Sequence, residues 1–287
     1  MSIETAHGLR KTRASRIALL GGVYSNHHAL RAALEDCRRR TVDAVYCLGD
    51  LGAFGPHPDR VFPLLEEHRV QTLAGNYDDS LARGLEDCQC GYTDPRDNQF
   101  ARISYEYTFA RTSPANKRFL GTLPAALRLE LAGCRVLLCH GSPRQQNEFL
   151  WESTTPDHFL DKLLDDHEAQ VIAVTHTGIK WQRKLPSGRL FVNVGVLGRP
   201  ENDGTSRVWY CVLEATSGGS VSTGGTRQAP ADALGATFVP VEYDYHALAR
   251  EMREERLPDE FIDTIETGWW TTCLEILPAK ERRRGRF

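Results

Sequence analysis

Short apolar runs recur along this chain at Arg16–Leu20, Ala44–Leu48, Gln71–Ala74, Arg135–Cys139, Val171–Val174, Leu190–Val194 and Arg207–Leu213, and Gly, Asp, Asn or His bounds them. Runs this short, closed by turn-forming residues, are strands rather than helices. Between them, residues 27–39, 58–67, 114–120 and 156–167 repeat apolar side chains at the spacing that puts them on one helix face. Strands joined through helices define an α/β chain, because each helix buries its apolar stripe against a sheet.

Past the last run, residues 216–235 are rich in Gly, Ser and Thr and read as a loose hairpin loop or linker. Residues 243–253 and 259–267 carry a helical pattern. The Trp269–Trp270 pair is expected to cover the core or a dimer surface, and the basic run at 280–287 to be a solvated end. The expected organisation is a disordered or extended arm over residues 1–15, then a single domain over 16–287 that ends in a helical extension.

Lys and Arg number 35 against 38 Asp and Glu, a balance that argues against a nucleic-acid or membrane-surface binder and for a small molecule or a protein as partner, with a homo-oligomer left open. The eight cysteines stand mostly singly within apolar runs and read as small buried hydrophobes in a reducing compartment. Only Cys88 and Cys90 form a close pair; the segment Cys88–Pro95 reads as a packed loop capping the pocket, with a metal-binding C-x-C as the alternative. No apolar stretch reaches membrane-spanning length and the first fifteen residues lack a secretory apolar core, so the expected address is the cytoplasm.

Ligands of open α/β sheets sit outside the carboxyl ends of strands. There the chain places GDLGAFGP with Asp50, GNYDD with Asn76, HGSP with His140 and THTG with His176. One such aspartate is usually a helix cap and one such histidine a structural residue, but four oxygen or nitrogen donors in series point to a bound cation.

The order of GDLGAFGP, GNYD, CHGSP and NVGVLGRP resembles the calcineurin-like metallophosphoesterases, especially their small bacterial branch, from about residue 16 to about residue 200. The resemblance implies a β-sandwich of two mixed sheets flanked by helices. It also implies two metal sites. The second is complete as Asp50, Asn76, His140 and His176. The first shares Asp50 but has Gly22, Tyr24 and Gly178 where the family carries an Asp and two His.

The implied cofactor is therefore one divalent transition metal, Zn, Mn or Fe, in a mononuclear site. Two-metal hydrolysis uses a nucleophile bridging both ions. Its loss implies a weak or altered phosphate-ester hydrolase acting on a small phosphorylated molecule, or a pseudoenzyme that binds a ligand or partner. An Fe(II) facial triad for non-hydrolytic chemistry is a third reading. Tyr24, Asn26, Tyr77 and Arg199 are the candidate contacts to phosphate or another anion. His27 and His28 are considered as replacements for lost ligands, against being surface residues of a first helical turn. No residue is assigned as catalytic. Restoring Gly22→Asp, Tyr24→His and Gly178→His together is expected to rebuild the first site.

Overall fold

The computed structural model describes residues 10–11, 14–216 and 233–285. Its first half runs β1 (Arg10–Lys11), β2 (Arg16–Leu20), α1 (His27–Arg39), β3 (Ala44–Cys47), a 3-10 turn (Pro58–Arg60), α2 (Val61–Glu67), β4 (Gln71–Thr72), α3 (Asn76–Arg83), α4 (Pro95–Arg111) and α5 (Pro114–Leu120). The second half runs β5 (Ala126–Leu131), β6 (Cys134–Cys139), α6 (Asp157–Asp166), β7 (Val171–Val174), β8 (Lys180–Lys184), β9 (Leu190–Val194), β10 (Val208–Ala215), β11 (Leu234–Val241), α7 (Tyr245–Glu254), α8 (Asp259–Thr267) and α9 (Ala279–Arg282).

The strands form two mixed sheets, ordered β1-β5-β6-β7-β9-β8 and β11-β10-β2-β3-β4. In the first, β6, β7 and β9 run parallel, β5 is antiparallel to β6 and parallel to β1, and β8 is antiparallel to β9. In the second, β2, β3 and β4 are parallel and β10 antiparallel. Alternate residues of both sheets meet in one apolar layer that includes Ile17, Leu19, Leu48, Leu138, Ala173 and Val192. The opposite faces carry helices: α1, α2 and α3 cover the second sheet, and Leu160, Leu163 and Leu164 of α6 cover the first. Burial on both faces is why these strands read as unbroken apolar runs. An apolar cluster of its own joins α7 and α8 to Phe100 of α4.

Local chemistry sets several helix starts. Asn26 caps α1 by accepting from Ala29 N at 2.9 Å, and Asp94 caps α4 with Pro95 at its first position. All the strands expected from apolar runs form, with ends shifted by a few residues. Strands β5, β8 and β11 and helices α3 and α4 were not anticipated. Helix α4 buries Asp97, Ser104 and Thr108 beside Phe100 and Tyr105, so it has no apolar stripe to read. Strand β8 is an edge strand in which Trp181 alone is buried. The expected loop over 216–235 ends sooner, since β11 begins at Leu234, and residues 217–232 lie outside the described residues. So does most of the N-terminal arm.

The turn after β3 leaves no room for a side chain at Gly49. Gly49 has φ +88°, and a Cβ there would lie 2.1 Å from Gly75 N. Gly84, which ends α3 at φ +66°, has open space around it. Gly84→Ala is expected to cost only the left-handed backbone penalty, roughly 1 kcal/mol, whereas Gly49→Ala adds a backbone clash and should cost several times that. Chemical denaturation of the two variants checks the ranking, and equal losses would refute it.

Candidate metal centre

Asp50 after β3, His140 after β6 and His176 after β7 converge from strand ends of both sheets, with their ligand atoms within 4.8 Å of one another. All three are buried. His140 Nδ1 lies 2.6 Å from the Leu48 carbonyl oxygen, which can only accept, so Nδ1 carries the proton and donates. His140 Nε2 faces Asp50 Oδ2 at 3.2 Å and His176 Nδ1 at 3.3 Å. A lone pair on that nitrogen opposes a carboxylate and a second ring nitrogen unless a cation or a proton lies between them.

Asn76 opens α3 between Gly75 and Tyr77, whose backbone N donates to Asp50 Oδ1 at 3.1 Å. Asn76 Oδ1 and His176 Nε2 are buried without a hydrogen-bond partner, each a cost of about 1–3 kcal/mol if left unmet. Two imidazoles, a carboxylate and an amide oxygen with orphaned donor atoms fit a divalent transition metal such as Zn, Mn or Fe.

The charges in the cluster act on one another through Asp50 and His140. Burial opposes charge, yet Asp50 lifts the His140 pKa above the usual imidazole range, and His140 in turn holds Asp50 below the usual carboxylate range. Burial, reinforced by His140, pushes His176 down to about 3, so at neutral pH it is the neutral imidazole a metal requires.

Asp78 positions the group. Its carboxylate accepts from Asp50 N at 2.7 Å, Gly75 N at 2.8 Å and Leu51 N at 3.1 Å, tying the turn after β3 to the turn after β4. Burial, then the neighbouring Asp50 charge, push the Asp78 carboxyl above its ordinary range, and the backbone donors oppose that rise. Asp50 itself holds φ +55°, a left-handed conformation that costs a non-glycine residue about 1 kcal/mol or more and persists because these bonds hold it. Asp78 stands in the GNYD motif, so its position was visible in the sequence; its role was not.

Cys88 and Cys90 are joined by a disulfide, which corrects the alternative of a metal-binding C-x-C pair. Cys37, Cys47, Cys134, Cys139, Cys211 and Cys273 are free and buried. Asn76 Nδ2 donates to Cys88 O at 2.8 Å and contacts Cys90 Sγ at 3.4 Å. The loop therefore turns the Asn76 amide so that its oxygen, not its nitrogen, is left unengaged.

The four expected anion contacts separate into two groups. Asn26 is fully occupied, capping α1 and donating from Nδ2 to Gly198 O at 3.0 Å. The Tyr77 hydroxyl turns into the core and donates to Ser104 Oγ at 2.8 Å, and burial raises its pKa well above the ordinary phenol value. Neither is placed as an anion contact. Tyr24 donates its backbone N–H to Asp50 O at 3.1 Å, and the Arg199 guanidinium lies against the Tyr24 ring and next to Gly178, two residues past His176. Arg199 is 6% exposed, its Nε has no hydrogen-bond partner, and no ion pair with a carboxylate holds it among the described residues. Its guanidinium stacks over Trp270 at 3.7 Å, Phe54 at 4.9 Å and Tyr24 at 6.0 Å.

These side chains fill the space opened where the resemblance would place the first metal. A Cβ on Gly178 would lie 2.7 Å from the Trp270 ring and 3.3 Å from Arg199 Nη2, and Gly178 has φ +82°. A Cβ on Gly22 would lie 2.6 Å from the Tyr24 ring. Trp270, expected over the core or a dimer surface, is locked here by its indole N–H to Pro200 O at 2.7 Å. His27 and His28 do not enter this space; they turn to Glu251 of α7.

A two-sheet α/β sandwich with these donors gathered at its strand ends is metallophosphoesterase architecture. The chain belongs to the calcineurin-like phosphoesterase superfamily, whose domain matches residues 16–218, more than half of it. It is similar to the uncharacterized protein MJ0912 of Methanocaldococcus jannaschii, 24% identical over 85% of this chain and 95% of that one. In structure it is similar to a metallophosphoesterase from Sphaerobacter thermophilus, at 24% identity and a TM-score of 0.61 over 89% of this chain and all of the other. It is also similar to the hypothetical protein PH1004 from Pyrococcus horikoshii OT3, at 20% identity and a TM-score of 0.70 over 89% and 99% of the two chains.

The packing alters the expectation for restored ligands. Gly22→Asp, Tyr24→His and Gly178→His together should not create a second ion site next to Asp50, because the Trp270 ring and the Arg199 charge stand where the new groups must go. Adding Trp270→Ala and Arg199→Ala should permit it. Mn(II) titration followed by electron paramagnetic resonance checks this: an exchange-coupled pair in the triple variant alone would refute the account.

Proposed function

We propose that the chain binds one divalent transition metal through Asp50, Asn76, His140 and His176, and that this mononuclear centre with the caged Arg199 binds and slowly hydrolyses a small phosphate ester. The observation that carries the reading is a buried guanidinium without a carboxylate beside a cluster of metal-type donors. Buried charges are paired or else await a partner, and the planar fork of Arg matches a phosphoryl group. When bound, a divalent ion supplies Lewis acidity toward a phosphoryl oxygen and lowers the pKa of a water it holds.

The residues set the rest of the chemistry. Arg199, held by cation–π contacts of roughly 0.5–2 kcal/mol each, contributes positive charge where a second ion would otherwise stand, without the second ion's ability to activate a nucleophile. Asp78 and the Leu48 carbonyl hold Asp50 and His140 in place. Tyr77 is not placed to protonate a leaving group: its hydroxyl is committed to Ser104 and is too weak an acid. The substrates best suited are therefore esters or anhydrides whose leaving group departs as a stable anion. The commitment of Tyr77 to Ser104 also favours a second reading, a ligand-binding pseudoenzyme, in which the centre holds a phosphorylated molecule and releases it intact.

Steady-state assays over a series of aryl phosphates test the reading. The rate should rise steeply as the leaving group becomes more acidic, stay well below the ordinary range of roughly 1–10³ per second, and require Asp50. No turnover on any member, with phosphate binding kept, selects the pseudoenzyme. Arg199→Ala should weaken phosphate binding by about 10- to 100-fold, the equivalent of one charged hydrogen bond of about 1.5–3 kcal/mol; unchanged binding in a folded variant would remove Arg199 from the site.

Metal affinity should also fall with acidity. Both imidazoles must be neutral to ligate, and Asp50 raises the pKa of His140, so protons begin to compete above the usual imidazole range. Calorimetric titration at stepped pH checks this, and constant affinity from pH 8 to 5 would count against His140, since His176, held down to about 3, stays neutral over that range.

A further inference from the structure

His27 and His28 open α1, yet neither serves the centre around Asp50. They face Glu251 of α7, with His28 Nε2 3.3 Å from Oε1 and His27 Nε2 3.8 Å from Oε2. The two rings lie side by side, centroids 4.0 Å apart, and one ligand atom from each of the three residues falls within 4.8 Å of the others.

Polar atoms here are conspicuously unmet. His27 Nδ1, His28 Nε2 and Glu251 Oε2 are all buried without a hydrogen-bond partner. The His27 side chain is 9% exposed, while His28 at 21% and Glu251 at 17% keep a path to solvent. Native structures rarely concentrate orphaned buried atoms unless an ion or water joins them. The other charged or titratable groups in this seam are Arg60, whose Nη1 holds Glu251 Oε1 at 2.9 Å, and His57, which sits near Glu255 Oε1 at 4.0 Å. Burial, and then His28, bring the His27 pKa down to about 4, so a proton does not satisfy this ring at neutral pH.

We propose that His27, His28 and Glu251 form a second, independent site for a divalent transition metal of the zinc or nickel type, which clips the start of α1 to α7. Two imidazoles and a carboxylate suit such ions, with an exposed fourth position for water. Tetrahedral donors at about 2.0–2.1 Å from zinc stand roughly 3.3 Å apart, so the seam needs only to tighten slightly. Arg60 competes for Glu251 but is half exposed and free to swing away. An ion that binds only the folded seam adds its binding energy to folding. It would fasten α7 and α8, whose Phe261 packs on Phe54 at 5.0 Å, and Phe54 in turn lies under Arg199.

The test uses the full chain carrying Asp50→Asn and His140→Ala to silence the other centre. Zinc and nickel titration by calorimetry should find one ion per chain and a rise in Tm. Adding His28→Gln or Glu251→Gln should weaken binding at least tenfold, and adding Arg60→Ala should tighten it severalfold by freeing Oε1. Casual binding to surface histidines would be insensitive to Glu251→Gln and Arg60→Ala. No ion in the silenced chain, or affinity unmoved by both Glu251→Gln and His28→Gln, overturns the proposal. If the silenced chain does not fold, the same ions are counted in the unsilenced chain with and without His27→Gln and His28→Gln, where the loss of one ion is required.

Discussion

Three backbone N–H groups, from Asp50, Leu51 and Gly75, converge on the single buried carboxylate of Asp78. These bonds join the turns after β3 and β4 and hold Asp50 in a backbone conformation it would not adopt alone. His140 extends the linkage across the sandwich, because its Nδ1–H reaches the Leu48 carbonyl of the opposite sheet. Donors from two sheets are thus fixed against one another before any ion arrives. That preorganisation matters more than ligand identity, since a loosely placed imidazole offers a metal little beyond what water does.

The two halves of the expected site follow opposite electrostatic logic. Around Asp50, His140 and His176, donors stand unmet and invite positive charge. Around Gly22 and Gly178, positive charge is supplied by the protein itself: Arg199 enters, and three aromatic faces stabilise it without neutralising it. A fixed guanidinium can stabilise an anion as an ion does, but it cannot exchange ligands or acidify water. Under the proposed function, binding of a phosphoryl group and activation of a nucleophile would therefore be separated, with only the first supported from both sides.

Much of this was legible before the structure, and the limits have physical causes. Asp50, His140 and His176 each close an apolar run, so strand periodicity alone places them at one end of the sheets. Asn76 was visible in the same way, but the direction of its amide depends on the Cys88–Cys90 loop, and no local pattern encodes that contact. Helix α4 escaped because its buried face is polar: Ser104 serves Phe54 N and the Tyr77 hydroxyl, and Asp97 accepts from Ile276 N. The missing ligands were readable as Gly22, Tyr24 and Gly178. What took their place was not, because Trp270 reaches Gly178 only through the packing of the C-terminal helices.

That last contact changes what the C-terminal segment is for. A helical appendage on a finished domain would be dispensable to the site, whereas here Trp270 forms one wall of the Arg199 cage and α8 supports another through Phe261 and Phe54. Cation–π attraction depends on excluding water from the cation, so the cage works only while these helices are docked. Loosening α7 or α8 would hydrate Arg199 without touching Asp50, His140 or His176, and so, under the proposed function, would weaken anion binding alone. The Arg199 cage therefore rests on the stability of the extension, while the cluster of Asp50, His140 and His176 rests on the strand ends.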